Sequence, residues 1–191
     1  MNMLTRAAEG LSRRAFTIAD LERMEEAGII APDERLELIG GEIVPMAAKG
    51  NRHESIKAAI NVLWGRACPL DHAFVPETGL RLDDHNYVEP DFVVFSRATL
   101  LKNLRGPDVL LAVEVADSSL DYDLRRKPLV YSSFGVRELW VIDAANRRAH
   151  THRDVRPKGY ADVDCFPPVD VLVPAFAPAE LAFALDGLEE I

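Results

Sequence analysis

The first half of the chain alternates between helical and strand-like spacing of its hydrophobic residues. Apolar residues three positions apart follow Thr17, a residue type that caps helix N-termini, and they predict a helix that ends at Gly28. The segment RLELIGGEIVPM, residues 35–46, forms two short apolar runs around a Gly-Gly turn, which predicts a β-hairpin. An apolar stripe at helical spacing predicts a second helix over residues 51–68, and Pro69 ends it.

The second half is dominated by short apolar runs that predict strands. Residues 109–115 are nearly all apolar, which is typical of a central strand covered on both faces. A helix over residues 123–134, ended by Gly135, and a buried strand at 139–142 follow. This strand–helix–strand order predicts a crossover between two parallel strands. Further strands are predicted at residues 73–77, 79–82, 92–95, 147–154 and 169–173.

Composition agrees with an ordinary globular fold. The chain has 191 residues, of which 48% are hydrophobic and 28% are charged. The order of elements predicts an α/β (α+β) fold with a mixed β-sheet flanked by helices, as a single domain over residues 15–191. Residues 1–14 are expected to be a flexible leader, since they lack the apolar stretch of a signal peptide.

The location of the protein is predicted from two absences in the sequence. No apolar run approaches the about 20 residues of a membrane helix, so we expect no membrane association. Cys68 and Cys165 are far apart and lack a C-x-x-C pattern, which favours a reducing cytoplasm and argues against a disulfide or a zinc site.

The net charge of -9 argues against strong non-specific DNA binding, which depends on contacts between cations and phosphates. It does not exclude an enzyme that cuts DNA. A site that gathers metal-binding carboxylates adds negative charge of its own, and a bound cation offsets that charge locally. Any basic surface for nucleic acid must therefore be local.

Two acidic residues stand in apolar surroundings. Glu114 lies inside VLLAVEVA, where an ionised side chain is costly unless an ion pair, a metal or a raised pKa compensates it. Asp91 follows Pro90 at the start of a predicted strand, where a plain turn residue is the alternative. If neighbouring strands bring both carboxylates to one end of a sheet, the two acids can share a divalent ion such as Mg²⁺.

Lys127 follows on the predicted helix over residues 123–134. An exposed ion pair with Asp123, four residues earlier, is one interpretation. The other is that Lys127 orients an attacking water and stabilises charge in a phosphoryl transition state. Tyr131 shares that helix face, with core packing expected and a hydrogen bond in the site as the alternative.

Four further residues have ambiguous patterns. Glu42 follows the Gly-Gly turn, where a solvated acid is common. His53 begins the second predicted helix, near its positive end, and a lone histidine is more often structural. His150 and His152 share a strand face at a spacing that suits metal binding, but without further ligands we expect both at the surface.

Five strings in fixed order resemble the Uma family of endonucleases: RLELIGGEIVPM, KGNRHE, VEPDFVVF, VEVADSSLDYDLRRK and FGVRELWVID. The resemblance covers about residues 15–175. It implies a restriction-endonuclease-like fold with a PD-(D/E)XK core, in which Pro90-Asp91 is the PD element and Glu114 is the second acid.

The chain departs from the standard motif at one position. Ala116 stands where the standard motif has its lysine, and the resemblance implies that Lys127 supplies this lysine from the following helix. It further implies that Glu42 and His53 are auxiliary ligands, with Glu42 binding a second metal or acting as a base.

These observations lead to one principal functional prediction. We expect a Mg²⁺-dependent endonuclease, with Mn²⁺ as a substitute metal, that hydrolyses DNA phosphodiester bonds. Asp91 and Glu114 hold the metal with the backbone carbonyl of Val115, and Lys127 positions the water. A homodimer is expected by analogy with nucleases that cut both strands. The alternatives are a non-catalytic module that binds nucleic acid or protein on a degenerate nuclease fold, and a hydrolase of another phosphoester.

Overall fold

The computed structural model describes residues 13–188 of the chain. The first twelve residues of the predicted leader lie outside this part. The helices are α1 (Ile18–Glu26), α2 (Asn51–Ala67), α3 (Leu120–Arg125) and α4 (Lys127–Ser133). The strands are β1 (Leu36–Ile39), β2 (Glu42–Pro45), β3 (His72–Pro76), β4 (Leu80–Asp83), β5 (Asn86–Val88), β6 (Phe92–Ser96), β7 (Val109–Ala116), β8 (Leu139–Asp143), β9 (Arg148–Arg156), β10 (Gly159–Phe166), β11 (Val171–Leu172) and β12 (Phe183–Ala184).

The described residues form two compact units. The first takes the residues up to Ala47 together with Gly79–Glu89, and the second takes Ala48–Thr78 and the residues from Pro90 onwards. The single domain expected over residues 15–191 stays a prediction. No helix in the described part of the chain is both long enough and apolar enough to span a membrane.

The first unit contains α1 and a four-stranded antiparallel sheet in the order β2-β1-β5-β4. Thr17 caps α1 as predicted, because its hydroxyl accepts from the Asp20 backbone N–H while the Asp20 carboxylate accepts from the Thr17 N–H. The hairpin of β1 and β2 turns at Gly40 and Gly41, which both have positive φ. The predicted hairpin is therefore confirmed.

The second unit is built on a six-stranded mixed sheet in the order β10-β9-β8-β7-β6-β3. The central strands β7 and β8 are parallel and are joined through α3 and α4, so the predicted crossover is confirmed. All other neighbours in this sheet are antiparallel, including the predicted hairpin of β8 and β9. A mixed sheet with helices is the predicted fold class.

One face of this sheet packs against α2. Trp64 of α2 is fully buried between aromatic rings, with its ring centroid 5.3 Å from that of Phe92 and 6.2 Å from that of Phe183. Its indole N–H donates to the carbonyl of Leu181 at 2.9 Å, so the buried polar atom is satisfied. This packing fixes the N-terminal end of α2, which carries His53, relative to the sheet.

The prediction of one continuous helix over residues 123–134 was wrong. The structure has two short helices, α3 and α4, with Arg126 between them and Pro128 in the first turn of α4. Proline lacks a backbone N–H and cannot donate to the preceding turn, so the helical ladder restarts there. This break separates Lys127 and the residues after it from α3.

Three strands were missed: β5, β10 and β12. β5 and β12 are only three and two residues long, and β10 is an edge strand whose side chains are mostly exposed. An exposed edge strand needs no buried apolar face, so its hydrophobic pattern is weak. β10 forms because its backbone pairs with β9. Gly159, with φ 124°, is the first residue of β10 and follows directly on the two-residue turn between these strands.

Candidate active site

The two acids of the second unit are brought together by neighbouring antiparallel strands. Phe92 of β6 pairs with Val113 of β7, and the next step of this register places Asp91 across from Glu114. Asp91 and Glu114 are each 5% exposed. The start of β6 and the end of β7 thus bring two buried carboxylates to one end of the sheet, which is the condition under which the sequence analysis expects them to share a divalent ion.

Asp91 is held by three donors. Its Oδ2 accepts from the backbone N–H of Val115 at 2.8 Å, and Nε2 of His53 lies 3.0 Å from the carboxylate. Nζ of Lys49 lies 3.3 Å from Oδ1. Burial by itself raises the pKa of Asp91, but the bond and charge of His53, the Val115 amide and Lys49 outweigh it and hold the pKa below its ordinary value. The Asp91 carboxylate is therefore ionised at neutral pH.

The backbone of β7 directs a carbonyl to the same place. In an extended strand the N–H and C=O of one residue point to the same side. The carbonyl of Ala116 accepts from Ala144 beyond β8, and the N–H of Val115 donates to Asp91 on the opposite side. The Val115 carbonyl accordingly faces the β6 side of β7, where Asp91 lies.

Glu114 is held from α4. Its Oε1 accepts from Nζ of Lys127 at 2.9 Å and from the hydroxyl of Tyr131 at 2.6 Å. Lys127 is only 2% exposed, so the interpretation of Lys127 as an exposed surface ion pair is wrong. Tyr131 is fully buried and also hydrogen-bonds in the site, which joins the two roles considered for it.

His53 lies in the first turn of α2 and is buried. Its Nε2 contacts Asp91, and its Nδ1 lies 3.1 Å from the carboxylate of Glu54. Because both ring nitrogens face carboxylates, this geometry favours a role in positioning Asp91. Its predicted role as a metal ligand stays a prediction.

Three charged residues near Asp91 have no counterpart in the sequence prediction. Glu77 accepts from Lys49 and, at 2.6 Å, from Nζ of Lys57. Hydrogen bonds from these two lysines outweigh burial and lower the pKa of Glu77 to about 2. The only signal in the sequence is the position of Lys49 within KGNRHE, four residues before His53.

The structure also describes the surroundings of two further candidates from the sequence. Glu42 begins β2 in the first unit, where its side chain is 41% exposed and 3.5 Å from Arg13, so its auxiliary role stays a prediction. His152 is 6% exposed, so its expected surface position was wrong. It is covered because it lies on β9, between β8 and β10, on the sheet against which α4 packs.

The donor set fits a magnesium ion. Within residues 13–188 no group of three or more His, Cys, Asp and Glu side chains is arranged to hold a metal. Mg²⁺ usually keeps several waters and takes only one or two protein carboxylates, so Asp91, Glu114 and the Val115 carbonyl suffice as hard oxygen ligands. Softer metals, which prefer thiolate or several imidazoles, have no such donors here.

Comparisons with known proteins identify the family and the fold of the chain. The family described as Uma2, putative restriction endonuclease, matches residues 18–186. A solved structure, described as a putative nuclease belonging to DUF820 from Anabaena variabilis ATCC 29413, is similar with a TM-score of 0.67 at 18% sequence identity. The similarity covers 91% of this chain and 97% of that chain, and it confirms the fold. No curated protein matches the sequence significantly.

Proposed function

Since the chain belongs to the Uma2 family of putative restriction endonucleases, we propose that it is a Mg²⁺-dependent endonuclease that hydrolyses DNA phosphodiester bonds. One observation carries this proposal. Asp91, which directly precedes β6, lies across from Glu114 of β7 if the register of the two strands is continued by one residue, and Nζ of Lys127 lies 2.9 Å from Glu114. Two carboxylates and a lysine at one edge of a sheet suit the binding of a metal, a water and a phosphate.

The proposed mechanism assigns a role to each of these groups. Asp91, Glu114 and the Val115 carbonyl would hold a Mg²⁺ ion, whose chemistry when bound is to activate a water and to neutralise phosphate charge. Lys127 orients the attacking water and stabilises the negative charge that develops on the phosphate.

The surrounding residues keep this arrangement in place. His53 and the Val115 N–H fix the orientation of the Asp91 carboxylate, and Tyr131 fixes that of Glu114. Such outer partners keep ligands in the geometry that the metal needs. We further propose a cytoplasmic homodimer, in which each copy cuts one strand.

A plasmid-nicking assay tests the proposal. The wild-type protein should convert supercoiled plasmid to the nicked form in Mg²⁺ or Mn²⁺ and not in EDTA. Asp91→Asn, Glu114→Gln and Lys127→Met should each lower the rate at least about 100-fold. The matched control is Glu180→Gln, an exposed acid of the same unit, which should cut at the wild-type rate. Unchanged nicking by Asp91→Asn and Glu114→Gln would refute the proposal.

A second candidate function rests on Ala116, which is fully buried at the position of the standard lysine, and on the net charge of -9. Both favour a non-catalytic module that binds nucleic acid or protein on a nuclease fold. It predicts no cleavage and no change in melting temperature with Mg²⁺. Cleavage of a small phosphodiester without plasmid nicking would instead indicate a hydrolase of another phosphoester.

A further inference from the structure

A second lysine, Lys49, contacts Asp91, one of the candidate metal ligands. Lys49 comes shortly before α2, and its Nζ is 3.3 Å from Oδ1 of Asp91. The same ammonium contacts Glu77. Each of the two acids is therefore paired with its own lysine: Glu114 with Lys127, and Asp91 with Lys49.

The two lysines differ in their access to solvent. The side chain of Lys127 is 3% exposed, whereas that of Lys49 is 16% exposed. A lysine side chain has a flexible stem and three rotatable donors, so its ammonium can change partners at little cost. Lys49 can therefore reach a group that arrives from solvent at Asp91, as a nucleic-acid phosphate would.

Glu77 holds Lys49 close to this position. Its backbone has a φ of 50°, which residues other than glycine rarely adopt, and its N–H donates to the Asp91 carbonyl at 3.1 Å. Backbone strain of this kind persists where the surrounding structure enforces it, and it concentrates at functional sites. The Glu77 carboxylate is thereby placed beside Asp91 and keeps the Lys49 ammonium nearby.

We propose that Lys49 is a substrate-binding residue with two alternative partners: the Asp91 carboxylate in the metal-free protein, and a phosphate oxygen of the nucleic acid once Asp91 holds a divalent metal. The inference rests on the proposed function. A dication on Asp91 repels the ammonium of Lys49, whereas a phosphate beside the metal attracts it. Lys49 thus opposes metal binding to the free protein and favours binding of the metal together with its substrate.

Three variants test this role. Lys49→Met keeps the length of the side chain and removes the charge, and Lys49→Arg keeps the charge. The matched control is Lys57→Met, because Lys57 also contacts Glu77, has a side-chain exposure of 14%, and pairs with Glu54. Melting temperatures establish that each variant is folded, and Lys49→Gln replaces Lys49→Met if the latter unfolds.

Two measurements follow on each protein. Isothermal titration of Mn²⁺ without nucleic acid should show about fivefold tighter binding for Lys49→Met, because a competing cation has left Asp91. Fluorescence anisotropy with a labelled 20-base-pair duplex in Ca²⁺ should show about fivefold weaker binding. The slope of log affinity against log salt should fall in magnitude by about 0.9, the contribution of one phosphate contact. Lys49→Arg should restore the slope, and Lys57→Met should change neither affinity more than about twofold.

The outcomes separate this inference from the proposed function. If the wild type binds Mn²⁺ and nicks plasmid, but Lys49→Met leaves either the Mn²⁺ affinity or the duplex affinity unchanged, the role of Lys49 is refuted and the nuclease proposal stands. Equal effects in Lys49→Met and Lys57→Met also refute it, since they would show that removing any nearby positive charge changes the two affinities. A wild type that neither binds Mn²⁺ nor nicks plasmid refutes both proposals.

Discussion

The burial of His152 predicts a specific loss of stability in mild acid. His152 is 6% exposed on β9, and among the described residues its Nε2 has no hydrogen-bond partner. Burial, with a smaller effect from His150, lowers the pKa of His152 from 6.5 to about 4. The folded protein therefore keeps this imidazole neutral at pH values where the unfolded chain protonates it.

The direction and the size of the change in the free energy of unfolding follow from this difference in pKa. Below pH 6.5 the unfolded state binds a proton that the folded state does not take up until about pH 4. The free energy of unfolding therefore falls as the pH drops through this window, and the full difference corresponds to about 3 kcal/mol. Ionised carboxylates such as Glu77, with a pKa of about 2, lose their contribution mainly at lower pH.

The measurement compares denaturant unfolding of the wild type and of His152→Phe at several pH values between 7 and 4. Phenylalanine keeps a ring beside Tyr160, whose ring centroid lies 5.9 Å from that of His152. The variant should gain about 3 kcal/mol relative to the wild type between pH 7 and pH 4. The control His72→Gln leaves His152 in place and should follow the wild-type curve. Parallel curves for His152→Phe and the wild type would refute the reasoning.

Two further predictions concern buried hydrogen bonds. Tyr131→Phe removes a donor to Glu114 and should weaken Mn²⁺ binding about tenfold in a calorimetric titration. Tyr160→Phe, which removes the bond to the Val136 carbonyl, is the control, and an equal loss there would contradict the role of Tyr131. Glu138→Ala should lower the free energy of unfolding by about 3–5 kcal/mol in urea, because the fully buried Glu138 carboxylate pairs with Arg153 at 2.7 Å. Glu138→Gln keeps an acceptor and should lose less, and a loss under about 1 kcal/mol in Glu138→Ala would contradict this account.

The elements that the sequence predicted correctly are those with a strong local signal. The Gly-Gly turn identified the hairpin of β1 and β2, and the apolar run of β7 identified the centre of the six-stranded sheet. The charge of Glu114 inside that run was the signal for the site. These features depend on residues close together in the sequence, so they can be predicted from one amino-acid sequence alone.

What the sequence did not predict depends on pairing and packing that the local hydrophobic pattern does not encode. β10 is defined by its pairing with β9, the preceding strand of the same hairpin, and not by a buried face of its own. Glu77 has a backbone conformation that its residue type disfavours, and only the fold brings it to Asp91 and Lys49. His152 is likewise buried by packing against neighbouring elements, and the alternating pattern of its own strand does not predict this burial.

The most direct test of the central claim is a calorimetric titration of Mg²⁺ and Mn²⁺ into the wild type and into Glu114→Ala, with plasmid nicking measured on the same samples. The account predicts that the wild type binds the metal and nicks DNA, and that Glu114→Ala loses both. Absence of metal binding to the wild type, or equal binding and nicking in the two proteins, would contradict it. Glu114 would then be a buried acid whose role is limited to its structural contacts with Lys127 and Tyr131.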